Sequence, residues 1–256
     1  MDNTEKLSAA LIKSALAEEY KNISITVFDT LDSTNLEAKR RNAEPCPFIV
    51  LSDTQTAGRG RLGRSFYSPA KTGLYMSISQ AADDLPENPV TLTCAAAAAV
   101  SMAIERLTKV PTEIKWVNDV YIGGKKVCGI LAEGIFDPET GKLCRTVTGI
   151  GVNISTKSFP EGIEAESLNT DISRNILAAA IADNFFEISA GRKDWLAYYR
   201  SRSFIKGKRI KYIINGKTHY GTAGDIDDSG ALFVTDDSGE TISLFTGEVT
   251  VRISAE

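Results

Sequence analysis

A chain of 256 residues, 43% hydrophobic and 24% charged, has the make-up of a soluble globular protein with one large domain, or one large and one small. Its net charge of −4 weighs against a general polyanion binder, although local basic surface rather than the total drives phosphate contacts. One histidine and four scattered cysteines leave no paired zinc-ligand spacing and restrict nucleophilic triads to those using His219.

No stretch approaches the ~20 apolar residues of a membrane span. The polar, acidic start Met1 to Glu5 has no signal-peptide pattern. Cys46, Cys94, Cys128 and Cys144 lie far apart, which fits reduced thiols and a cytoplasmic setting.

Leu7 to Glu19 reads as a short amphipathic helix, and Ile23 to Phe28 alternates like a strand. Thr34 followed by Glu37 matches a capping box and predicts a helix start. Phe48 to Leu51 is a compact apolar strand leading into a Gly-Arg loop, and Gly73 to Ile78 is a further strand. Pro89 to Leu107 reads as a long buried helix, because its five alanines, Ala95 to Ala99, leave its centre without a polar side. Glu113 to Ile122 and Lys126 to Leu131 flank Gly123-Gly124 as a hairpin, Val147 to Ile154 is a strand, and Asn175 to Ile188 and Asp194 to Ser203 are helical.

Beyond Gly207 short strands alternate with turn signals at Asn215-Gly216, Asp228-Ser229-Gly230 and Asp237-Ser238-Gly239, the pattern of a small barrel. The boundary falls near Lys206: residues 1–206 form a first domain, with residues 1–22 a lead-in helix, and residues 207–256 a second.

Three clusters carry chemistry. The first is Gly58-Arg59-Gly60-Arg61-Leu62-Gly63-Arg64. Guanidinium groups fit carboxylate or phosphate bidentately, and the glycines let backbone N–H groups approach a ligand. A solvated turn or a weak RNA contact explains this loop almost as well. Phe66 or Tyr67 behind it suits stacking on a base or burial in the core. The second is Lys115 to Gly134, where Asn118 and Asp119 interrupt apolar strand pieces and Lys126 leads another. A strand-end turn and an edge charge are the plain alternatives; beside the arginines, Lys126 suits charge developing on a phosphoryl oxygen. The third is Ser33-Thr34-Asn35, either a helix cap or a donor-rich ligand site.

In this order, Ser33-Thr34-Asn35, Gln55 with Gly58 to Arg64, Lys115 to Asp119, Lys126 before Val127 to Leu131, and Gly149 to Asn153 resemble the motifs of the biotin protein ligases, also called biotin–[acetyl-CoA-carboxylase] ligases. The resemblance runs from about Phe28 to Ile154, and the C-terminal strands through Thr246 to Arg252 resemble that family's last domain. It implies an α+β fold: a mixed β-sheet packed with helices, like class II aminoacyl-tRNA synthetases and biotin ligases, plus a small C-terminal SH3-like β-barrel.

The resemblance also implies a two-step reaction: biotin and Mg²⁺-ATP give biotinyl-5′-AMP, whose biotinyl group passes to a lysine of a biotin carboxyl carrier protein or domain. Carried over, Ser33, Thr34, Asn35, Gln55, Gly58, Gly60 and Arg61 contact biotin. Arg59 closes over biotin's carboxylate and the phosphates, and Lys126 bridges carboxylate and α-phosphate. Arg59, Arg61 and Lys126 are the catalytic set; Arg64, Phe66, Asn118 and Asn153 join them at the nucleotide; Asp119 orients Lys126 or a magnesium-bound water.

Val117 stands where the family usually has proline, which leaves that turn less rigid. The roughly 22 residues before the first strand are too few for the N-terminal DNA-binding domain of many relatives. The resemblance therefore implies a ligase-only form, without a DNA or membrane partner, as a monomer or homodimer. Two other readings compete: a lipoate–protein ligase, which shares the fold but usually carries a histidine motif missing here, and a non-catalytic nucleic-acid-binding module built on the Gly-Arg loop.

Overall fold

The computed structural model describes residues 5–82, 89–214, 216–245 and 248–251. Met1 to Thr4, Asn215, Thr246, Gly247 and Arg252, which figure in the sequence reading, lie outside them.

The first helix, α1 (Ala9–Ala15), is shorter than its amphipathic stretch. Ser8 caps it, and a 3₁₀ turn at Glu18–Tyr20 follows. Strand β1 (Ser24–Phe28), helix α2 (Thr34–Arg40) and strand β2 (Phe48–Ser52) form a crossover unit, and β1 pairs with β2 in parallel. Strands β3 (Gly73–Ala81), β4 (Glu113–Lys115), β5 (Asp119–Ile122), β6 (Lys125–Phe136) and β7 (Leu143–Asn153) complete a seven-stranded mixed sheet in the order β1-β2-β3-β7-β6-β5-β4.

The sequence hairpin at Gly123-Gly124 is confirmed between β5 and β6, where both glycines take positive φ (56° and 74°). Its first arm is corrected. Glu113 to Ile122 is not one strand: Trp116-Val117-Asn118 turns the chain, and β4 pairs antiparallel with β5. Asn118 and Asp119 are poor strand formers, and there they make the turn and its exit. The Trp116–Val117 peptide is cis.

One face of the sheet carries the core. Helix α3 (Pro89–Thr108) crosses it with Ala95 to Ala99 at most 4% exposed, and α4 (Arg174–Ser189) lies against α3, where Asn184 Nδ2 donates to the Ala99 carbonyl at 3.0 Å. The segment Val90–Thr108 is long and apolar enough by length and composition to cross a membrane, contrary to the sequence expectation. Within the fold 67% of its apolar window is buried, which accounts for that composition. A short α5 (Leu196–Arg202) leads out of the core.

The second module is an antiparallel sheet of β8 (Arg209–Ile214), β9 (Lys217–Ile226), β10 (Leu232–Asp236), β11 (Thr241–Leu244) and β12 (Glu248–Val251), in the order β11-β10-β9-β8-β12. An α+β fold with a small C-terminal β module is thus present.

Candidate active site

The other face of the large sheet holds a cavity whose floor is nearly bare backbone. Gly129 of β6 and Gly151 of β7 are register partners, and the Phe66 ring occupies the space above them. A Cβ on Gly151 would come within 2.5 Å of Phe66 Cε1, and one on Gly149 within 2.2 Å of Asn35 Oδ1. Glycine at these strand positions marks close approach by other groups.

One end of the cavity is built by the start of α2. Ser33 is the N-cap with extended backbone (φ −157°), but its side chain does not cap. The expected capping box is therefore corrected. The first-turn N–H of Thr34, which has no partner within the helix, is satisfied from outside it, by Gln55 Oε1 at 2.8 Å. Thr34 Oγ1 donates to the same oxygen at 3.2 Å, and Ser77 Oγ lies 2.8 Å from Thr34 Oγ1 and 2.6 Å from Asn35 Oδ1. Asn35 Nδ2 donates to the Leu131 carbonyl (3.2 Å) and Glu133 Oε2 (2.9 Å).

These partners fix what each group offers a ligand. Thr34 gives its proton to Gln55, so its oxygen faces a ligand as an acceptor. Gln55 Nε2 gives one proton to Ser68 Oγ at 2.9 Å and carries a second. An acceptor beside an amide donor suits a ligand with an N–H next to a carbonyl.

The Gly-Arg loop is a small folded arch. Phe66 N–H donates to the Gly58 carbonyl at 2.9 Å and Gly60 N–H to the Arg64 carbonyl at 2.7 Å. Its tip, Leu62, has φ 55° and is 73% exposed. Gly58 closes the base of the arch: a Cβ there would lie 2.4 Å from the Phe66 carbonyl oxygen.

The opposite end is cationic. Lys126 Nζ sits 2.7 Å from Asp119 Oδ1, Asn118 Nδ2 donates to the same oxygen at 3.0 Å, and Arg61 donates to Asn118 Oδ1 at 3.1 Å. Around the cavity, Arg59, Arg61, Arg64, Lys115 and Lys126 face one carboxylate, Asp119. A protein of net charge −4 thus gathers positive charge at this site.

Of the residues singled out in the sequence, Ser33, Thr34, Asn35, Gln55, Arg59, Gly60, Arg61, Arg64, Phe66, Asn118, Asp119 and Lys126 all line this cavity. Gly58 and Asn153 do not. Asn153, 3% exposed at the end of β7, has an Oδ1 with no hydrogen-bond partner among the described residues. Sequence reasoning missed Ser77, Ser68 and Glu133, which hold the lining from behind. Glu133 accepts from Lys39 at 2.8 Å and lies 3.5 Å from Arg59. Burial alone would raise its carboxyl, but the Lys39 and Asn35 hydrogen bonds outweigh burial and hold it below the usual carboxylate range. An acid three residues beyond Ile130 in an apolar strand was the available signal.

The site provides no ready covalent nucleophile of the Cys or His type. Burial pushes the Cys94 thiol up to about 12, and raises Cys128 as well. His219 stacks on Tyr212 in the second module, outside the lining.

Residues 10–153 match the Biotin/lipoate A/B protein ligase family, and residues 206–252 match the Biotin protein ligase C terminal domain. The chain is 30% identical over 249 residues to the Bifunctional ligase/repressor BirA of Bacillus subtilis (strain 168), covering 91% of this chain and 76% of that protein. It is 31% identical to the Biotin--[acetyl-CoA-carboxylase] ligase of Mycobacterium tuberculosis (strain H37Rv), covering 85% of each. The solved structure of the Aquifex aeolicus biotin protein ligase in complex with biotin and ATP superposes with a TM-score of 0.75 at 27% identity, over 90% of this chain and 98% of that one. With the ordered motifs gathered round one cavity and both modules matched, the chain belongs to the biotin/lipoate A/B protein ligase family.

Proposed function

We propose that this protein is a biotin protein ligase: it activates biotin with ATP to biotinyl-5′-AMP and passes the biotinyl group to a lysine of a biotin carboxyl carrier protein or domain. The observation that carries this reading is the joining, in one cavity, of the Thr34–Gln55 acceptor–donor pair to the Arg61–Asn118–Asp119–Lys126 cationic end. Biotin's cyclic urea presents an N–H beside a carbonyl, and its valeryl carboxylate reaches from that end toward the cations.

Two anions must meet in the first step. A carboxylate oxygen of biotin attacks the α-phosphorus, the bond to the β-phosphate oxygen breaks, and pyrophosphate leaves. In this reading Lys126, which lines the cavity, contacts both the carboxylate and the α-phosphate, reducing their repulsion and the charge developing between them. Arg59, Arg61 and Arg64 add charge around the phosphates, and Phe66 with Asn118 faces the nucleoside. In the second step a carrier lysine attacks the acyl carbon, the acyl–phosphate bond breaks, AMP leaves and the amine loses a proton. The enzyme needs no covalent intermediate, in keeping with the buried thiols and the distant His219.

Magnesium enters this reading with the nucleotide, where it supplies Lewis-acid charge to the phosphate oxygens. Among the described residues no group of three or more His, Cys, Asp or Glu side chains is placed to hold a metal. Asp119, the carboxylate of the lining, already holds Lys126 and Asn118. That donor set suits an ion ligated mainly by phosphates and water, with Asp119 as its side-chain contact.

The test is incubation with biotin, Mg²⁺-ATP and a carrier domain, read by the mass of the carrier. A biotinyl mass increment that needs both biotin and ATP supports the reading. An unmodified carrier, or modification by lipoate in place of biotin, overturns it.

A further inference from the structure

Trp116 begins the turn that bears Asn118, lines the cavity, and is 3% exposed. Its indole Nε1–H donates to the Gly230 carbonyl at 2.9 Å, across to the second module. A buried indole N–H requires such an acceptor. Gly230 lies in the turn joining β9 to β10, and Asp227 builds that turn. Asp227 Oδ1 accepts from Ser229 N–H (2.8 Å), Ser229 Oγ (2.7 Å) and Ala231 N–H (2.9 Å).

The turn is fixed against the first module. Thr91 Oγ1 donates to the Ser229 carbonyl at 2.9 Å and Arg200 Nε to the Ile226 carbonyl at 2.7 Å. Gly230 has φ +84°, and a Cβ there would sit 3.4 Å from both Cys94 Sγ and Val90 Cγ1, so the position takes glycine. On the cavity side, the turn that Trp116 begins is tied by Asn118 to Arg61 and, through Asp119, to Lys126.

We propose that the β9–β10 turn is part of the frame of the active site: Asp227 and Gly230 are positioning residues that fix the Trp116–Asn118 turn for the nucleotide step. The inference rests on the reading of this cavity as the site of adenylate formation. Thr34 and Gln55 belong to the other end, so the effect falls more heavily on ATP than on biotin.

The experiment uses the full chain and four variants: Trp116→Phe, which removes the indole N–H; Asp227→Ala, which removes the acceptor that shapes the turn; Asp227→Asn, which keeps an acceptor oxygen; and the double variant Trp116→Phe with Asp227→Ala. Steady-state KM is measured for ATP and biotin, and hydrogen exchange of the Trp116 indole N–H is followed by NMR, the Trp116→Phe spectrum assigning its signal. Expected is a rise in KM for ATP of roughly five- to tenfold in each of Trp116→Phe and Asp227→Ala, the scale of one hydrogen bond. KM for biotin rises far less, Asp227→Asn behaves as wild type, and the double variant is no worse than the larger single. Protection of the indole N–H falls in Asp227→Ala and is kept in Asp227→Asn.

An unchanged KM for ATP in Trp116→Phe, effects that multiply in the double variant, or an indole equally protected in Asp227→Ala overturns the inference. A wild-type chain that forms no biotinyl-AMP overturns the reading beneath it instead. Wild-type activity with an insensitive Trp116→Phe overturns this inference alone.

Discussion

Lys126 and Asp119 form an ion pair of 2.7 Å at the cationic end of the cavity, and the end of the Lys126 side chain lies over Gly129, three residues along its own strand. Asn118 donates to the same carboxylate oxygen, so the ammonium is held in place before a ligand arrives. A preorganised charge costs little reorganisation when the reaction occurs. Lys126→Ala is expected to slow single-turnover synthesis of biotinyl-AMP by a factor on the order of 10² to 10³, the scale for removing one such stabiliser. Its thermal unfolding should match the wild type; adenylate formation at the wild-type rate would refute the role of Lys126.

The glycine floor makes a sharper demand. Gly151→Ala places a methyl 2.5 Å from Phe66 Cε1, so the ring must leave its position over β6 and β7. Titration calorimetry is expected to show ATP affinity reduced by roughly tenfold or more, as overpacking commonly costs ~1–3 kcal/mol. Biotin affinity should change far less, because Thr34 and Gln55 are untouched. Equal losses for both ligands would mean that Phe66 does not face the nucleotide.

The arch from Gly58 to Arg64 has an exposed tip and three arginines, which makes it a trypsin target. If it closes over bound ligand, biotin with ATP will slow cleavage after Arg59, Arg61 and Arg64. Identical digestion with and without ligands would count against a closing lid.

Arg174 and Asp53 form a buried pair of 2.6 Å, with side chains 1% and 7% exposed, that fastens the start of α4 to the end of β2. Removing one partner strands the other charge in the core. Asp53→Ala should cost about 3–5 kcal/mol in urea unfolding, and Asp53→Asn with Arg174→Met much less. A neutral Asp53→Ala would show that the pair contributes nothing net.

Glu133 sets a pH dependence of definite sign. Its folded carboxyl titrates below the ordinary glutamate value, so the stability it contributes is present above that value, ~4.3 for unfolded glutamate. The contribution is lost as pH falls through the lower, folded value. Carbon NMR of the Glu133 carboxyl should give a midpoint under the unfolded one, and Lys39→Met should move it upward. A midpoint at or above the ordinary value contradicts the hydrogen-bond network around Asn35 and Lys39.

Much of this was readable in the residues, for reasons that differ from element to element. The Ala95 to Ala99 run announced a buried helix, and Gly123-Gly124 announced a hairpin, because composition and backbone conformation act locally. The break at Trp116 to Asn118 was half legible: Asn118 and Asp119 signalled a strand-end turn, but only pairing of Glu113 with Tyr121 shows that the pieces on either side are two antiparallel strands. Thr34 and Glu37 had the right spacing for a capping box, but Gln55, 21 positions away, supplies the acceptor. Ser77 and Glu133 reach the site by strand register, which no local pattern encodes.

The hydrogen bond from Trp116 to Gly230 also has a meaning in time. It spans 114 positions, so a ribosome adding ~5–20 residues per second needs on the order of ten seconds between making the two partners. During that interval every strand of the large sheet has been synthesised, yet the indole that lines its cavity still lacks its acceptor. If this bond positions the Trp116–Asn118 turn as proposed, the pocket cannot be completed until the β9–β10 turn has been made.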